Sequence, residues 1–258
     1  MLHLTKWYLD LVTPEGTTLI VYAAALRWRA IRIEFASTFL APPSGDVIES
    51  SSWTGVELPR DEGDRLRFSN DGLGIDGEWQ RTAPAVAATL LDDEEGSVRW
   101  DCLYPGARAR VRTRDGILTG LGYAERLTFT RPPWSLPLRT LRWGRFVSAR
   151  HTLPWIRWEG GPPRHWAWLD GVPQPGSMAE DDGVTGLEGG VALDLTPGRL
   201  LCDRRALQVL SHQLPALNAI PLGRLKSLRE IKRLDRGHLN GPSLGDDEGW
   251  VIHETVTW

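Results

Sequence analysis

The chain has 258 residues, of which 41% are hydrophobic and 24% are charged, and its formal net charge is −3. This length accommodates one large domain or two modest ones. The composition excludes a disordered chain and a strongly basic nucleic-acid-binding protein, so we expect no nucleic-acid partner.

The amino terminus lacks the pattern of a secretory signal. Lys6 and Asp10 interrupt the first ten residues, where a signal peptide would have an unbroken apolar run. The longest apolar stretch, residues 19–26, is shorter than the roughly 20 residues that cross a bilayer. The two cysteines, Cys102 and Cys202, lie outside metal and redox spacings, as in proteins of a reducing compartment. We therefore predict a cytoplasmic protein without a membrane span.

Strand-type alternation recurs along the chain. Ile31, Ile33 and Phe35 alternate with charged residues, and residues 98–104 also alternate, with Val98, Trp100, Cys102 and Tyr104 on one face. Glycine and proline are plentiful, and the Asp-Gly pairs predict tight hairpin turns at residues 71–72, 76–77, 115–116 and 170–171. These patterns predict an all-β fold with antiparallel sheets.

A proline-rich segment, residues 131–137, divides the chain near its midpoint. Three prolines in seven residues are incompatible with a central strand. We predict an amino-terminal domain of residues 1–130, a junction at residues 131–137, and a carboxy-terminal domain of residues 138–258. Each domain has about the length of one small barrel.

One segment, residues 221–237, has helical periodicity. Pro221 suits its first turn, Gly237 suits its end, and between them apolar residues recur at helical spacing: Leu222, Leu225, Leu228 and Ile231. The other face is basic, with Arg224, Lys226, Arg229, Lys232 and Arg233. Such a helix either forms a solvated surface packed on a core, the commoner arrangement, or makes weak contact with an anionic membrane surface.

Two predicted strands carry a glutamate in their apolar row. Counting by twos places Glu125 on the same face as Tyr123 and Leu127, and it places Glu254 on the same face as Ile252. An inward carboxylate costs several kcal/mol unless it is paired, hydrogen-bonded or protonated. Burial raises the pKa of a carboxyl group, and a glutamic acid can then donate a proton near neutral pH.

The alternative to proton donation is a structural role. Each of the two glutamates can be neutralised by a buried arginine, and Arg142 and Arg145 are the candidates in residues 141–146. The sequence alone leaves both roles open for Glu125 and for Glu254.

A third carboxylate, Asp170, follows two tryptophans. Trp166, Trp168 and Asp170 share strand parity, so an acid could end a wall of two indole rings. Asp170 and Gly171 also form a standard hairpin-turn pair, in which the carboxylate hydrogen-bonds to its own backbone.

Motifs of other enzyme classes lack their structural context. The G-x-G-x-x-G sequence at residues 72–77 lies between predicted turns, whereas a dinucleotide site needs a strand before it and a helix after it. The G-x-S-x-G sequence at residues 241–245 contains a proline where a nucleophile elbow has a strand. The six histidines lack zinc-site spacing. We therefore expect neither a cofactor nor a metal.

Four segments are characteristic in combination: Gly-Tyr-Ala-Glu at residues 122–125, Leu-Arg-Trp-Gly-Arg-Phe at 141–146, Trp-Leu-Asp-Gly at 168–171 and Gly-Trp-Val-Ile-His-Glu at 249–254. With the proline-rich junction, they resemble a lipocalin-like group that includes AttH-type proteins, carotenoid 1,2-hydratases, tocopherol-cyclase-like proteins and certain Diels–Alderases. The resemblance covers most of residues 115–258. The preceding residues add only the strands near Trp7 and residues 19–28.

The resemblance implies two tandem calycin-type β-barrels, with one or two short helices and an apolar pocket near their junction. Such proteins act on polyenes, isoprenoids or polyketides without a redox cofactor. The hydratases are thought to protonate a terminal double bond through an acid in a W-x-D pattern, which Trp168 and Asp170 match.

We therefore expect an enzyme that binds an apolar unsaturated small molecule and catalyses its acid-initiated hydration or cyclisation. The alternative is a lipid carrier, or a pericyclase that acts by folding its substrate. The candidate acids are Glu125, Asp170 and Glu254. The candidate substrate-binding residues are Tyr22, Tyr123, Arg142, Trp143, Trp166 and Trp168. Among them, the faces of Trp143, Trp166 or Trp168 can hold a cationic intermediate.

Overall fold

The computed structural model describes residues 2–205, 228–242 and 244–258. These residues form 19 β-strands and two 3-10 turns, and they contain no α-helix. The predicted all-β fold class is confirmed. The one or two short helices predicted with it are absent from the described residues. The described part also contains no helix long and apolar enough to span a membrane. The chain divides into two compact units, Met1–Arg131 and Pro132–Trp258.

The first unit is a single antiparallel sheet. Its strands are β1 (Leu2–Val12), β2 (Thr18–Trp28), β3 (Ile31–Ala41), β4 (Ile48–Ser52), β5 (Arg60–Asp61), β6 (Arg65–Asn70), β7 (Ile75–Arg81), β8 (Val86–Asp93), β9 (Gly96–Thr113) and β10 (Gly116–Phe129). Their order is β4-β3-β2-β1-β10-β9-β7-β6-β5, and β8 pairs with the first part of β9.

Each of the two faces of this sheet carries its own set of buried residues. One face forms the main apolar core, which includes Leu9, Trp79 and Ala124. Because side chains alternate along a strand, Tyr8 and Glu125 lie on the opposite face. These two residues are cross-strand partners in β1 and β10. Glu125, the candidate acid of this unit, therefore lies on the face of the sheet opposite its main apolar core.

A bulge in β9 changes the predicted alternation of residues 98–104. The pairing with β10 shifts between Tyr104 opposite Ala124 and Asp101 opposite Arg126, so β9 uses three steps where β10 uses two. Tyr104 therefore joins the main core. Trp100 remains on the Glu125 side, and the prediction that Tyr104 shares its face is wrong.

The Asp-Gly turn predicted at residues 76–77 is also wrong. Asp76 and Gly77 lie inside β7, where Gly77 pairs with Phe68 and Val111. A Cβ atom on Gly77 would lie 2.7 Å from the indole ring of Trp79, so the glycine makes room for that ring.

The second unit is also one antiparallel sheet. Its strands are β11 (Thr140–Val147), β12 (Thr152–Glu159), β13 (Arg164–Leu169), β14 (Val172–Pro173), β15 (Met178–Glu180), β16 (Gly183–Leu187), β17 (Val191–Arg205), β18 (Arg229–Asn240) and β19 (Asp247–Thr257). The 3-10 turns are Pro133–Ser135 and Glu188–Gly190. The strand order is β14-β13-β12-β11-β19-β18-β17-β16-β15.

This second sheet curls so that its edge strand β15 contacts β12. The Arg157 guanidinium on β12 donates a hydrogen bond to the carbonyl oxygen of Ala179 on β15. The enclosed face holds an apolar core that includes Phe146, Trp155 and Val251. The alternate residues of the central strands, which include the candidates of this unit, lie on the outer face.

The helix predicted over residues 221–237 is wrong from Arg229 onward, because Arg229–Asn240 is strand β18. Residues 221–227 lie outside the described residues. The buried positions of β18 alternate, but two of them are Glu230 and Lys232. Because charged residues occupy buried positions of β18, the sequence does not show the apolar–polar alternation of a strand. The apolar residues of the segment instead recur at helical spacing, which led to the helix prediction.

Candidate functional site

Glu125 is buried, and its carboxylate accepts hydrogen bonds from two neighbouring side chains. Glu125 Oε2 lies 2.5 Å from the indole nitrogen of Trp100 and 2.6 Å from the hydroxyl of Tyr123. Glu125 is only 4% exposed, and both partners are fully buried. The parity of β10 places Tyr123 beside Glu125, and β9 brings Trp100 from the next strand. Two neutral donors thus hold one oxygen of the carboxyl group in place.

Cys102 lies close to this hydrogen-bonded group. Its thiol is fully buried, and both Tyr123 and Glu125 influence its pKa. Burial raises the pKa of the Cys102 thiol well above its usual value, and the charges of Glu125 and Asp10 raise it further. Burial also raises the pKa of Tyr123, with added contributions from Cys102 and Glu125. Both groups therefore keep their protons near neutral pH.

Aromatic rings adjoin the Glu125 carboxylate on the same face of the first sheet. The ring of Tyr8 lies 6.1 Å from that of Tyr123 and 5.4 Å from that of Tyr22, both in edge-to-face geometry. The Tyr22 ring in turn lies 5.8 Å from that of Phe39. The structure therefore brings Tyr22, Tyr123 and Glu125, three predicted site residues, into one cluster.

Glu254 forms an ion pair in the second unit. Its Oε2 atom lies 2.5 Å from the Lys232 ammonium, which is also 2.5 Å from Glu230 Oε1. Lys232 is 2% exposed. Glu254 thus serves as a counter-ion of a buried lysine, a cation that differs from the arginines considered above.

Asp170 lies at the β13–β14 turn. Its φ angle is 51°, which places it in the left-handed region. The carboxylate accepts the backbone N–H of Thr152 at 2.8 Å and lies 2.7 Å from Nδ1 of His151. The turn is therefore present, but the carboxylate binds the neighbouring strand and not its own backbone.

Three of the predicted tryptophans share the outer face of the second sheet. Trp143 and Trp166 both pair with Ile156, and Trp143 also pairs with Glu254. Trp168 lies on the same face as Trp166, because Ala167 between them belongs to the core. The three tryptophans together form an apolar row across β11 and β13.

Arg142 is separated from these tryptophans by the sheet. It lies on the opposite face from Trp143, and its guanidinium pairs with Glu159 at 3.0 Å and with Asp181 at 3.2 Å. Although Arg142 and Trp143 are adjacent in the sequence, they therefore do not share one face of the sheet.

Another titratable group occupies the enclosed side of the second sheet. His165 pairs across the strands with Arg157, and its Nδ1 atom lies 3.2 Å from the Ser177 hydroxyl oxygen. Burial, aided by the positive charge of Arg157, lowers the pKa of His165 to about 4. The imidazole is therefore neutral at physiological pH.

The described residues contain no group of three or more histidine, cysteine, aspartate or glutamate side chains that could hold a metal ion. Two surface depressions in the second unit have volumes of about 460 and 330 Å³. Residues 137–139 and 160–161 line the first, and residues 203–205 with Arg229 line the second. Neither depression contains a predicted site residue.

The sequence analysis did not identify Trp100, which contacts Glu125, or Lys232, which contacts Glu254. For Trp100 the signal was incomplete, because the turn at residues 115–116 alone would set Trp100 opposite Phe129, and two register shifts between β9 and β10 bring it opposite Leu127, two residues from Glu125. Lys232 carried no such signal, since the pattern assigned it to the exposed face of a helix.

No family model and no curated protein matches the chain. Solved structures match it over nearly its full length. A putative AttH from Nitrosomonas europaea has a TM-score of 0.59 and 10% identity, over 99% of this chain and 92% of that one. Kievitone hydratase from Nectria haematococca has a TM-score of 0.55 and 14% identity, over 98% of this chain and 88% of that one.

A third solved structure, CghA with Sch210972, has a TM-score of 0.54 and 11% identity, over 99% of this chain and 88% of that one. At these identities the similarity shows the fold alone. The predicted resemblance to AttH-type proteins is therefore confirmed at the level of the fold.

Proposed function

We propose that the protein is a cofactor-independent enzyme of small-molecule metabolism that hydrates or cyclises an apolar unsaturated substrate. The observation that carries this proposal is the Glu125 carboxyl group, which is buried and held through Oε2 by Trp100 and Tyr123. A carboxyl group in such surroundings is suited to general acid catalysis.

In the proposed reaction, Glu125 transfers its proton to a carbon–carbon double bond of an isoprenoid, carotenoid or polyketide. The resulting carbocation is stabilised by the faces of nearby rings, among which Tyr22 is the most accessible. Cation–π attraction in a desolvated site can reach about 2 kcal/mol. Capture of the cation by water gives an alcohol, and capture by a second double bond gives a ring; in each case the Glu125 carboxylate takes back one proton, which leaves a neutral product.

The second unit carries its own apolar row, Trp143, Trp166 and Trp168, on the outer face of its sheet. Its two candidate acids are less suited to proton transfer than Glu125. Asp170 and Glu254 have polar roles within that unit already, as a turn residue and as a counter-ion. Glu125 is therefore the preferred acid among the three candidates.

The fold similarity also supports the proposal. Among the solved structures with this fold, one is named a hydratase and one holds the small molecule Sch210972. These names describe those proteins, and they favour an enzyme of small-molecule metabolism, such as a hydratase, for this chain.

A second candidate function is binding without proton transfer, either as a lipid carrier or as a pericyclase that folds its substrate. The pairing of Glu254 with Lys232 and of Asp170 with His151 favours this alternative, since two of the three candidate acids are occupied. An aromatic surface alone is sufficient to orient a polyene.

The test measures product formation from three probes: an acyclic carotenoid, a linear terpenoid alcohol and a polyene polyketide. The wild type is compared with Glu125→Gln and with Glu34→Gln, which makes the same chemical change at an exposed position of the same unit. We expect Glu34→Gln to keep its turnover and Glu125→Gln to lose about 10²–10⁴-fold. Full turnover in Glu125→Gln would overturn the acid role, and saturable quenching of tryptophan fluorescence without any product would identify a carrier.

A further inference from the structure

The hairpin end that joins β2 to β3 carries three arginines. Arg27 and Arg32 are cross-strand partners in the two strands, and Arg29 lies between the strands in the turn. All three residues are exposed. None of them forms an ion pair with a carboxylate of the described residues, not even with Glu34, which lies on the same face of β3 as Arg32. The hairpin end thus concentrates positive charge in a chain whose net charge is −3.

This arrangement of charges is unfavourable in the absence of a bound anion. Directly opposite residues of an antiparallel pair have Cα atoms about 4.5–5.5 Å apart, so Arg27 and Arg32 repel each other. Arg29 has a φ angle of 54°, in the left-handed region where glycine or asparagine is less strained than arginine. A phosphate group between the guanidinium groups relieves the repulsion, because each guanidinium can donate two parallel hydrogen bonds to it. The hairpin end therefore suits phosphate groups.

Apolar side chains occupy the other face of the same hairpin end. Trp28 and Ile31 are cross-strand partners, and both are half-buried. Arg29 Cζ lies 4.9 Å from the centroid of the Trp28 ring. Tryptophan beside basic residues is typical of the boundary between lipid headgroups and acyl chains. This combination favours a membrane surface over a nucleic acid, which is bound by extended basic surfaces.

We propose that the β2–β3 hairpin end, residues 27–32, docks the protein on a membrane surface that contains anionic phospholipids. Its arginines bind the lipid phosphates. The inference goes beyond the proposed function and does not depend on it. Trp28 shares a face of β2 with Tyr22, which lies six residues or about 20 Å along the strand. Docking therefore holds the face that carries Tyr22 close to a bilayer, in which an apolar substrate dissolves.

Sedimentation with lipid vesicles tests the docking without a substrate. The vesicles consist of phosphatidylcholine alone, or of phosphatidylcholine and phosphatidylserine in equal parts. We expect the wild type to bind only the mixed vesicles, and to be released as NaCl rises from about 0.05 to 0.5 M. Arg27→Gln combined with Arg32→Gln should weaken this binding about 25-fold, or about 5-fold for each arginine. Arg27→Lys combined with Arg32→Lys keeps both charges and should retain most of the binding.

The matched control is Arg108→Gln combined with Arg110→Gln. These arginines are exposed on β9 of the same unit and form no ion pair with the described residues, and their loss changes the net charge equally. We expect this control to bind the mixed vesicles as the wild type does.

Three results would overturn the proposal. They are wild-type binding in the double glutamine variant of Arg27 and Arg32, an equal loss of binding in the control, and a wild type that binds single-stranded RNA or inorganic phosphate but not the mixed vesicles. Vesicle binding by a wild type that turns over none of the probes would support the docking and refute only the proposed function.

Discussion

Lys232 and Glu254 are cross-strand partners in β18 and β19, and their charged atoms lie 2.5 Å apart. The same ammonium lies 2.5 Å from Glu230 Oε1, so one buried lysine stands between two carboxylates. Removal of the lysine leaves two buried negative charges together. We expect Lys232→Met to lower the free energy of unfolding by about 3–5 kcal/mol.

The matched variant is Glu254→Gln, in which Glu230 remains as a counter-ion. We expect this variant to lose less stability than Lys232→Met in the same urea titration. Glu254→Gln should also keep its product formation. A larger loss of stability in Glu254→Gln than in Lys232→Met would contradict the counter-ion role.

The backbone of Asp170 predicts how the β13–β14 turn responds to substitution. Asparagine tolerates the left-handed conformation and can still accept the Thr152 N–H, so Asp170→Asn should cost less than about 1 kcal/mol. Alanine loses the acceptor and is strained at φ 51°, so Asp170→Ala should cost about 1–3 kcal/mol. Denaturant unfolding measures both. Loss of product formation in a stably folded Asp170→Asn would instead show that Asp170 is the acid.

The raised pKa values of Cys102 and Tyr123 predict instability at alkaline pH. An unfolded thiol loses its proton near pH 8.5, whereas the folded thiol keeps it. Above that pH the unfolded state binds fewer protons than the folded state, so the free energy of unfolding falls as pH rises. The slope can reach about 1.4 kcal/mol per pH unit for each group.

This slope is measured by urea titrations between pH 7 and pH 10, at steps of about half a pH unit. Cys102→Ser should remove the part that begins near the thiol pKa of about 8.5, because serine does not titrate there. A slope that is the same in Cys102→Ser and in the wild type would show that the thiol does not contribute.

His165 predicts a loss of stability at acidic pH. Its folded pKa is about 4, whereas an unfolded histidine titrates near 6.5. As pH falls below about 6.5, the unfolded state binds a proton first, and the free energy of unfolding decreases until pH reaches the folded pKa. His165→Gln should therefore show a smaller drop in melting temperature between about pH 7 and pH 5 than the wild type. Equal drops would mean that another group causes the acid sensitivity.

Several features of the fold and the site followed from local sequence pattern. Strand alternation indicated an all-β chain, and the parity of β10 placed Tyr123 beside Glu125. These predictions succeed because side chains alternate strictly along a regular strand. Similarly, the Asp-Gly pair at residues 170–171 indicated a turn because both residues tolerate positive φ.

The failures have physical causes that local pattern does not reveal. Strand β18 buries Glu230 and Lys232, and Lys232 has a second counter-ion, Glu254, in the next strand. The contact between Trp100 and Glu125 depends on the register of β9 and β10, which contains two shifts. Strand pairing and β-bulges determine both contacts. The spacing of residues within a single segment therefore does not predict either of them.

The most direct test of the acid role of Glu125 is the incorporation of deuterium from D₂O into product. The wild type is incubated with the acyclic carotenoid, and the product is washed with H₂O and analysed by mass spectrometry. If Glu125 protonates a double bond, the product carries one deuterium bound to carbon, and Glu125→Gln forms this product about 10²–10⁴-fold more slowly. A product that carries no carbon-bound deuterium, or one formed equally fast by Glu125→Gln, would contradict acid-initiated catalysis by Glu125.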